Sequence, residues 1–271
     1  MKKISFKSNN KNIFKLILNI VLGFQTPDKS YRKYKLNNSI IFYYFIKIDD
    51  GSMSVKILID KDFKNLYELY NKGLRSIGLV WSRNNIFANG VPFSYPSSPD
   101  RGEGLTDLGK DLVKICDEKH ILIDLSHLNE AGFWEIANIS DMPLIATHSN
   151  VHELCPSPRN LTALQLAAIA ESNGIVGLNF GIGFLHFEGK RDRFLSLDTM
   201  CRHLDALLEV LGEEGVALGS DFDGIQVSDH ITDCSGLPNL IAAMKKNGYD
   251  DKLIKKICSE NWLQFIKKTL G

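Results

Sequence analysis

The chain has 271 residues, 44% of them hydrophobic and 24% charged, an ordinary composition for a globular protein with room for one large domain or two small ones. Its 32 Lys and Arg residues balance its 32 Asp and Glu residues, so the net charge gives no reason to expect a nucleic-acid partner. The five cysteines form no CxxC pair, which excludes a Cys-rich zinc finger and is typical of a reducing compartment, so we expect a cytoplasmic protein.

The first 59 residues differ in composition from the rest of the chain. Residues 1–60 contain eleven Lys or Arg and only four Asp, and we treat 1–59 as an atypical basic N-terminal segment. The apolar run at residues 13–24 is too short for a membrane span and is interrupted by Lys15, so no stable membrane span is predicted. An ordinary buried or amphipathic segment and a targeting segment both stay open for this run. A second apolar run, at residues 39–48, is compatible with a strand.

From residue 60 onward, apolar segments alternate with segments of helical periodicity. Phe63, Leu66, Leu69 and Tyr70 fall on one helical face, and Gly73 follows as a helix stop. Residues 83–104 form a polar loop rich in Gly, Pro and Ser, and a loop of that length is usually functional or mobile. The predicted strands are 76–81, 121–126, 143–148, 174–180 and 216–222, and the later predicted helices are 106–118, 129–139, 162–172, 197–211, 238–246 and 251–256.

The five predicted strands are apolar along their length, as strands covered by helices on both faces must be. Strands that alternate with helices indicate parallel β/α units. Polar or aromatic residues stand at several strand ends, which favours the ring of strand ends in a barrel over the single crevice of a doubly wound sheet. We therefore predict an α/β fold, a (β/α)8 barrel of the TIM type over residues 60–271. Its remaining strands would have to come from residues 1–60, and without them the barrel is incomplete at the N-terminus.

The strongest chemical signal is a pair of histidines at the ends of successive strands, His127 in ILIDLSH and His148 in PLIATHS. Asp221 ends a later strand in VALGSDFDG, and two neutral imidazoles and a carboxylate at one barrel mouth predict a zinc-type metal site. Asp221 is a candidate for metal binding or proton transfer, whereas Asp223 is interpreted as a turn cap. Arg159, in the loop after His148, is either a clamp for a substrate carboxylate or a surface charge. The remaining candidates, interpreted as structural or solvated, are His152, His186, His203 and His230.

Several motifs resemble the renal (membrane) dipeptidase family of zinc metallopeptidases over about residues 60–271. They are GLRSIGLVWSRNN, ILIDLSHLNEAGFWEI, PLIATHSNVHELCPSPRNLT, GIVGLNF, VALGSDFDGI and LPNLIAAMKKNGYDDKLIKKICSENWLQFI. The resemblance implies a (β/α)8 barrel with two zinc ions that hydrolyses dipeptides, and it also implies self-association into a homodimer. It implies that His127 and His148 bind the second zinc, that Asp221 binds the first and transfers the proton, and that Arg159 holds the dipeptide carboxylate. Trp81 stands where some members have a histidine that contacts the substrate.

Two features expected of that family have no counterpart in the sequence. The family has a His-x-Asp pair on its first strand as ligands of the first zinc, whereas this chain has no histidine before His120. The family also has a bridging Glu ahead of the first helix, where this chain offers only Asp60 or Asp62. The sequence therefore supports two hypotheses, a zinc dipeptidase and a non-catalytic dipeptidase-like barrel that binds one metal ion or a small carboxylate ligand. Another metal-dependent hydrolase of the same barrel type is a third interpretation, disfavoured by the match around Arg159.

Overall fold

A six-stranded parallel sheet forms the centre of the part of the chain that the structure describes. The computed structural model describes residues 44–47, 59–222 and 224–270; most of the predicted N-terminal segment and the proposed turn cap at Asp223 lie outside these ranges. The strands are β1 (Tyr44–Lys47), β2 (Leu74–Gly78), β3 (Leu122–Asp124), β4 (Ile145–Ala146), β5 (Ile175–Leu178) and β6 (Val216–Leu218).

The strand order identifies the type of sheet. Each of the six strands pairs in parallel with the next one along the chain, from β1 to β6. A doubly wound sheet reverses its strand order at a switch point, and no such reversal occurs among these six strands. The predicted α/β fold of the barrel type is therefore confirmed. The apolar run at residues 39–48 does contain a strand, β1, and the five strands predicted after residue 60 are all present.

Helices connect the strands and cover the sheet. They are α1 (Lys64–Asn71), α2 (Asp107–Glu118), α3 (Glu130–Ile139), α4 (Ala163–Glu171), α5 (Leu197–Leu211), α6 (Leu237–Lys246), α7 (Asp251–Lys255) and α8 (Asn261–Leu270), with a π-helical turn at Lys256–Glu260. Polar side chains fix where several helices begin: Thr106 and Asn129 accept hydrogen bonds from the backbone N–H groups of Gly109 and Gly132. Within the described part of the chain, no helix is long and apolar enough to cross a membrane.

The hydrophobic core lies between the sheet and these helices. All four residues of β5 are buried, as expected for a strand covered on both faces. Leu112 of α2, Leu166 of α4 and Leu204 of α5 pack against the sheet in the same cluster. Trp262 of α8 is fully buried, and its indole Nε1–H donates to the carbonyl oxygen of Leu218 at 3.1 Å. The last helix is thereby fixed to the last strand.

All five strands predicted after residue 60 end earlier in the structure than the sequence predicts, and β3 and β4 show one cause. The predicted strands 121–126 and 143–148 are observed as the shorter β3 and β4. The reason is the Asp124 carboxylate, which accepts the backbone N–H groups of Ser126 at 3.1 Å and Thr147 at 2.9 Å. A side chain thus replaces the strand-to-strand hydrogen bonds, and the backbone beyond it turns into the mouth of the sheet.

Candidate active site

His127 and His148 meet at the carboxyl ends of β3 and β4. Their Nε2 atoms are 3.0 Å apart, and the ring centroids are 5.0 Å apart. Both residues are buried. The Nδ1 atoms face hydroxyl groups, since Ser82 Oγ lies 3.0 Å from that of His127 and Thr147 Oγ1 lies 2.7 Å from that of His148. The structure therefore brings the two predicted histidines together, with their Nε2 atoms facing one another.

Asp221 lies beyond β6 in a constrained backbone. Its φ of 55° is unusual for a residue other than glycine, and its side chain is buried. Its Oδ2 accepts a hydrogen bond from Asn179 Nδ2 at 3.1 Å, and the same amide nitrogen lies 3.4 Å from the carbonyl oxygen of His148. A Cβ atom at Gly224 would lie 2.3 Å from Asp221 Oδ1, so a side chain at this position would clash with the carboxylate. Asn179 thus links Asp221 to the strand end that holds His148.

Arg159 is buried beside the histidine pair, with 2% of its surface exposed. Its Nη2 lies 3.4 Å from His127 Nε2 and donates to the carbonyl oxygen of His148 at 3.3 Å. The guanidinium carbon lies 5.4 Å from the centre of the Phe184 ring. Burial lowers the pKa of Arg159 to about 10, against the opposing effect of Asp221 and Asp124, so the group remains a cation at neutral pH. Arg159 is therefore a buried charge in the site and not a surface charge.

Part of this guanidinium has no hydrogen-bond partner. Its Nε and Nη1 atoms are both buried and unpaired among the residues described. Buried donors in proteins are almost always paired, and each unpaired one costs about 1–3 kcal/mol. The position is therefore unfavourable for a residue that serves the fold alone, and it is suited to an anionic ligand.

An aromatic wall, defined as Trp81, Phe93 and Phe184, stands beside the histidine pair. The Trp81 ring lies 6.1 Å from that of His127 and 5.3 Å from that of Phe93. Phe93 stacks on Phe184 at 6.0 Å with an angle of 13° between the ring planes. Phe93 is 45% exposed, so the wall is open to solvent at that end. Trp81 thus lies next to the histidine pair, and its role in substrate binding stays a prediction; Phe93 and Phe184 were not among the predicted residues.

The other histidines have different surroundings. His152 Nε2 lies 3.1 Å from the Ser97 carbonyl oxygen, which ties two loops together. His203 in α5 is fully buried, with its Nε2 3.1 Å from the Leu185 carbonyl oxygen and its Nδ1 accepting the Val151 N–H. Burial lowers the pKa of His203 to about 4, so the ring is neutral at ordinary pH. These contacts agree with the structural interpretation of His152 and His203.

The donor set fits a metal ion only in part. Two imidazole nitrogens on one tetrahedral zinc are about 3.3 Å apart, because Zn–N bonds are ~2.0–2.1 Å long. The separation of 3.0 Å between His127 Nε2 and His148 Nε2 is close to that value. In the ranges 44–47, 59–222 and 224–270, however, no group of three or more His, Cys, Asp or Glu residues is arranged to hold a metal. The described residues therefore provide two ligands for one metal, and Asp221 does not complete a three-ligand group there.

The parallel sheet and the polar residues at its strand ends define an α/β barrel protein of the metal-dependent hydrolase type. A family profile, that of the membrane dipeptidases (peptidase family M19), matches residues 51–270. The chain belongs to this family, which confirms the prediction from its motifs. The profile begins at residue 51, whereas the predicted domain begins at residue 60.

Two solved structures agree with this assignment, and a curated relative is similar over much of its length. An uncharacterised protein in the pqqA 5′ region of Klebsiella pneumoniae is 48% identical over 208 residues, which are 77% of each chain. A metallopeptidase from Rhodobacter sphaeroides, liganded with a phosphinate mimic of the dipeptide L-Ala-D-Ala, superimposes with a TM-score of 0.77 at 50% identity over 79% of this chain. The dipeptidase AC, a family M19 metallopeptidase, does so with a TM-score of 0.78 at 50% identity, also over 79%. The chain spans 61% and 62% of these two solved structures.

Several residues of this site were not singled out from the sequence. Asn179, Thr147 and Asp124 all lie in the quoted motifs, and each is a polar residue at the end of an apolar strand. That signal identified His127 and His148, and it could have identified these three by the same reasoning. Phe184 and Phe93 carried no such signal, because Phe184 lies in a short 3-10 turn and Phe93 in a loop, and their contacts span a long stretch of sequence.

Proposed function

We propose that the chain is a zinc-dependent dipeptidase that hydrolyses the peptide bond of dipeptides. The observation that carries the proposal is the unpaired, buried guanidinium of Arg159 beside the histidine pair. A carboxylate held there would sit close to any metal on His127 and His148. In a peptide this carboxylate lies so near the scissile bond only if that bond is the last one before the C-terminus, as the single bond of a dipeptide is. The Rhodobacter sphaeroides relative, liganded with a dipeptide mimic, supports the same substrate class.

We assign substrate binding to Arg159 and the aromatic wall. The Nε and Nη1 donors of Arg159 suit the free carboxylate of the dipeptide, since a planar guanidinium can bind both of its oxygens. Because Arg159 lies over Phe184, the side chain next to that carboxylate would contact Phe184 and Phe93. These rings favour an apolar side chain at the C-terminal position of the substrate.

We assign the metal and the proton transfer to the remaining residues of the site. His127 and His148 would hold zinc, which when bound supplies Lewis-acid polarisation of the scissile carbonyl. Asp221 would accept the proton of the attacking water and deliver it to the leaving amine nitrogen. Its hydrogen bond from Asn179 keeps the carboxylate oriented for both transfers.

A second candidate function is a non-catalytic barrel that binds one metal ion or a small carboxylate. Two observations favour it: the described residues contain no three-ligand group, and the sequence has no histidine before His120. Arg159 would still bind a carboxylate in such a protein. The two candidates therefore differ in metal content and in turnover, not in the anion site.

The test is zinc content together with dipeptide hydrolysis. The chain is loaded with zinc, desalted and measured by plasma mass spectrometry, and initial rates are recorded with L-Ala-D-Ala and with its C-terminal amide. The proposed function predicts hydrolysis of the free dipeptide, little hydrolysis of the amide, and loss of activity in His148→Ala. His230→Ala, the same change at an exposed histidine, is the matched control and should keep full activity. Full activity in His148→Ala would contradict the site, and zinc binding without turnover would favour the second candidate.

A further inference from the structure

A chain of hydrogen bonds runs from Asp124 through Thr147 to His148. Thr147 Oγ1 donates to Asp124 Oδ2 at 2.6 Å, and the same oxygen lies 2.7 Å from His148 Nδ1. We propose that Asp124 and Thr147 are positioning residues that fix the tautomer and the direction of the His148 ring, so that its Nε2 presents a lone pair to a metal ion. The metal in this proposal rests on the proposed function, whereas the tautomer does not.

The direction of the hydrogen bonds follows from what each group can donate. An ionised carboxylate has only acceptors, so the Thr147 hydroxyl must supply the proton in its bond with Asp124. That short bond is charge-assisted and outcompetes other uses of the single hydroxyl proton. Thr147 Oγ1 can then only accept from the His148 ring, which places the ring proton on Nδ1. In the neutral ring, which has a single N–H, His148 Nε2 is then left without a proton, and it faces His127 Nε2 at 3.0 Å.

The Asp124 carboxylate is itself held in place. Its Oδ1 accepts from Ser126 Oγ at 2.6 Å as well as from the backbone N–H groups of Ser126 and Thr147. Ser126 Oγ in turn accepts the backbone N–H of His148 at 3.0 Å. The ring and the backbone of His148 therefore depend on the same carboxylate. A group fixed by this many donors has little freedom to turn, so the Thr147 bond keeps its direction.

Such an arrangement serves metal binding in a specific way. A ligating imidazole usually donates its other N–H to a carboxylate, a carbonyl or water, which selects the tautomer and orients the ring. Here a hydroxyl passes this effect from Asp124 to His148, since the direct distance from Asp124 Oδ2 to His148 Nδ1 is 3.9 Å. Removing the Thr147 hydroxyl should therefore weaken metal binding even though Thr147 would not touch the metal.

The test compares three variants of the full chain. Thr147→Val keeps the shape of the side chain and removes the hydroxyl, Thr147→Ser keeps the hydroxyl, and Asp124→Asn removes the charge. Zinc affinity is measured by competition with a chromophoric chelator. The ¹⁵N shifts of the His148 ring are measured in zinc-free, ¹⁵N-histidine-labelled protein, with His148→Ala to assign the signals. Thermal unfolding of each variant establishes that it is folded.

We expect the wild-type ring to show a protonated Nδ1 and an unprotonated Nε2. Thr147→Val and Asp124→Asn should disturb this pattern and lower zinc affinity about 10–100-fold, and Thr147→Ser should retain both properties. Unchanged shifts and affinity in Thr147→Val would overturn the proposal, as would equal losses in Thr147→Val and Thr147→Ser. Neither readout requires turnover, so a wild-type chain that binds zinc without hydrolysing dipeptides would refute the proposed function alone. If the wild-type chain bound no zinc, the ¹⁵N comparison would still show whether Asp124 and Thr147 fix the tautomer of His148.

Discussion

Replacing Arg159 by methionine should raise stability and abolish most activity at the same time. Methionine has a similar length and no donors, so Arg159→Met removes a buried cation together with the two unpaired nitrogens Nε and Nη1. Most substitutions of buried residues destabilise a protein. An increase in stability would therefore be a specific sign that Arg159 is kept for a ligand and not for the fold.

The magnitude follows from the surroundings of the guanidinium. Burial lowers the pKa of Arg159 from 12.5 to about 10, which corresponds to about 3 kcal/mol against the charged form. Methionine recovers this cost but loses the Nη2 bond to the His148 carbonyl and the contact with Phe184, together worth about 1–3 kcal/mol. We expect a net gain of about 1 kcal/mol in the free energy of unfolding. Loss of the buried ion pair with the substrate should lower kcat/KM about 100-fold.

Urea unfolding at neutral pH and initial rates with a dipeptide measure both effects. Arg202→Met is the matched control, because Arg202 is exposed on α5 and its replacement should change neither quantity. If Arg159→Met lowered the free energy of unfolding by several kcal/mol, Arg159 would be a structural residue. If kcat/KM stayed within a few-fold of wild type, the assignment of the carboxylate site would be refuted.

Three further predictions concern other parts of the molecule. The pKa of His203 is about 4 in the folded chain and about 6.5 in the unfolded one, so the unfolded chain binds more protons between these pH values. The free energy of unfolding should therefore fall by about 3 kcal/mol as the pH drops from 6.5 to 4. Urea titrations should show a weaker pH dependence in His203→Gln. A Cβ at Gly219 would lie 1.9 Å from the Thr147 carbonyl oxygen, so Gly219→Ala should lower the melting temperature. A Cβ at Gly78 would have no atom nearer than 3.9 Å, so Gly78→Ala should cause no such steric loss of stability. Phe93→Ala should raise KM for dipeptides with a large apolar C-terminal side chain and leave KM for those ending in glycine nearly unchanged, and equal changes for both would contradict the role of the aromatic wall.

The sequence was sufficient for the order of the strands and helices, because both signals are local. Apolar runs marked the strands, and the spacing of residues such as Phe63 and Leu66 marked the helices. The ends of β3 and β4 were wrong by a few residues, since Asp124 diverts backbone N–H groups that an extended strand would have used. Propensity gives no information about such a side-chain bond, which forms only once two strands are adjacent.

The site was predictable where it depends on strand ends and not where it depends on loops. His127 and His148 were expected together because parallel strands bring their carboxyl ends to one edge. The residues alone left Arg159 open between a carboxylate clamp and a surface charge, since its loop is polar and gives no sign of folding inward. The stacking of Phe93 on Phe184 joins two connecting segments far apart in the sequence, and only the closed fold determines it.

The free-energy cost of burying the Arg159 cation is relevant to both candidate functions. A buried cation with unpaired donors opposes folding, so it persists only where a ligand or a neighbouring group compensates for it. Asp221 and Asp124 stabilise the charge, but neither is hydrogen-bonded to Nε or Nη1. Among the described residues no other group pairs with Nε or Nη1, so an anionic ligand is the compensation that we propose. The carboxylate site is therefore expected in a working dipeptidase and in a non-catalytic relative alike, and dipeptide binding should persist in a His148→Ala chain that has lost its metal.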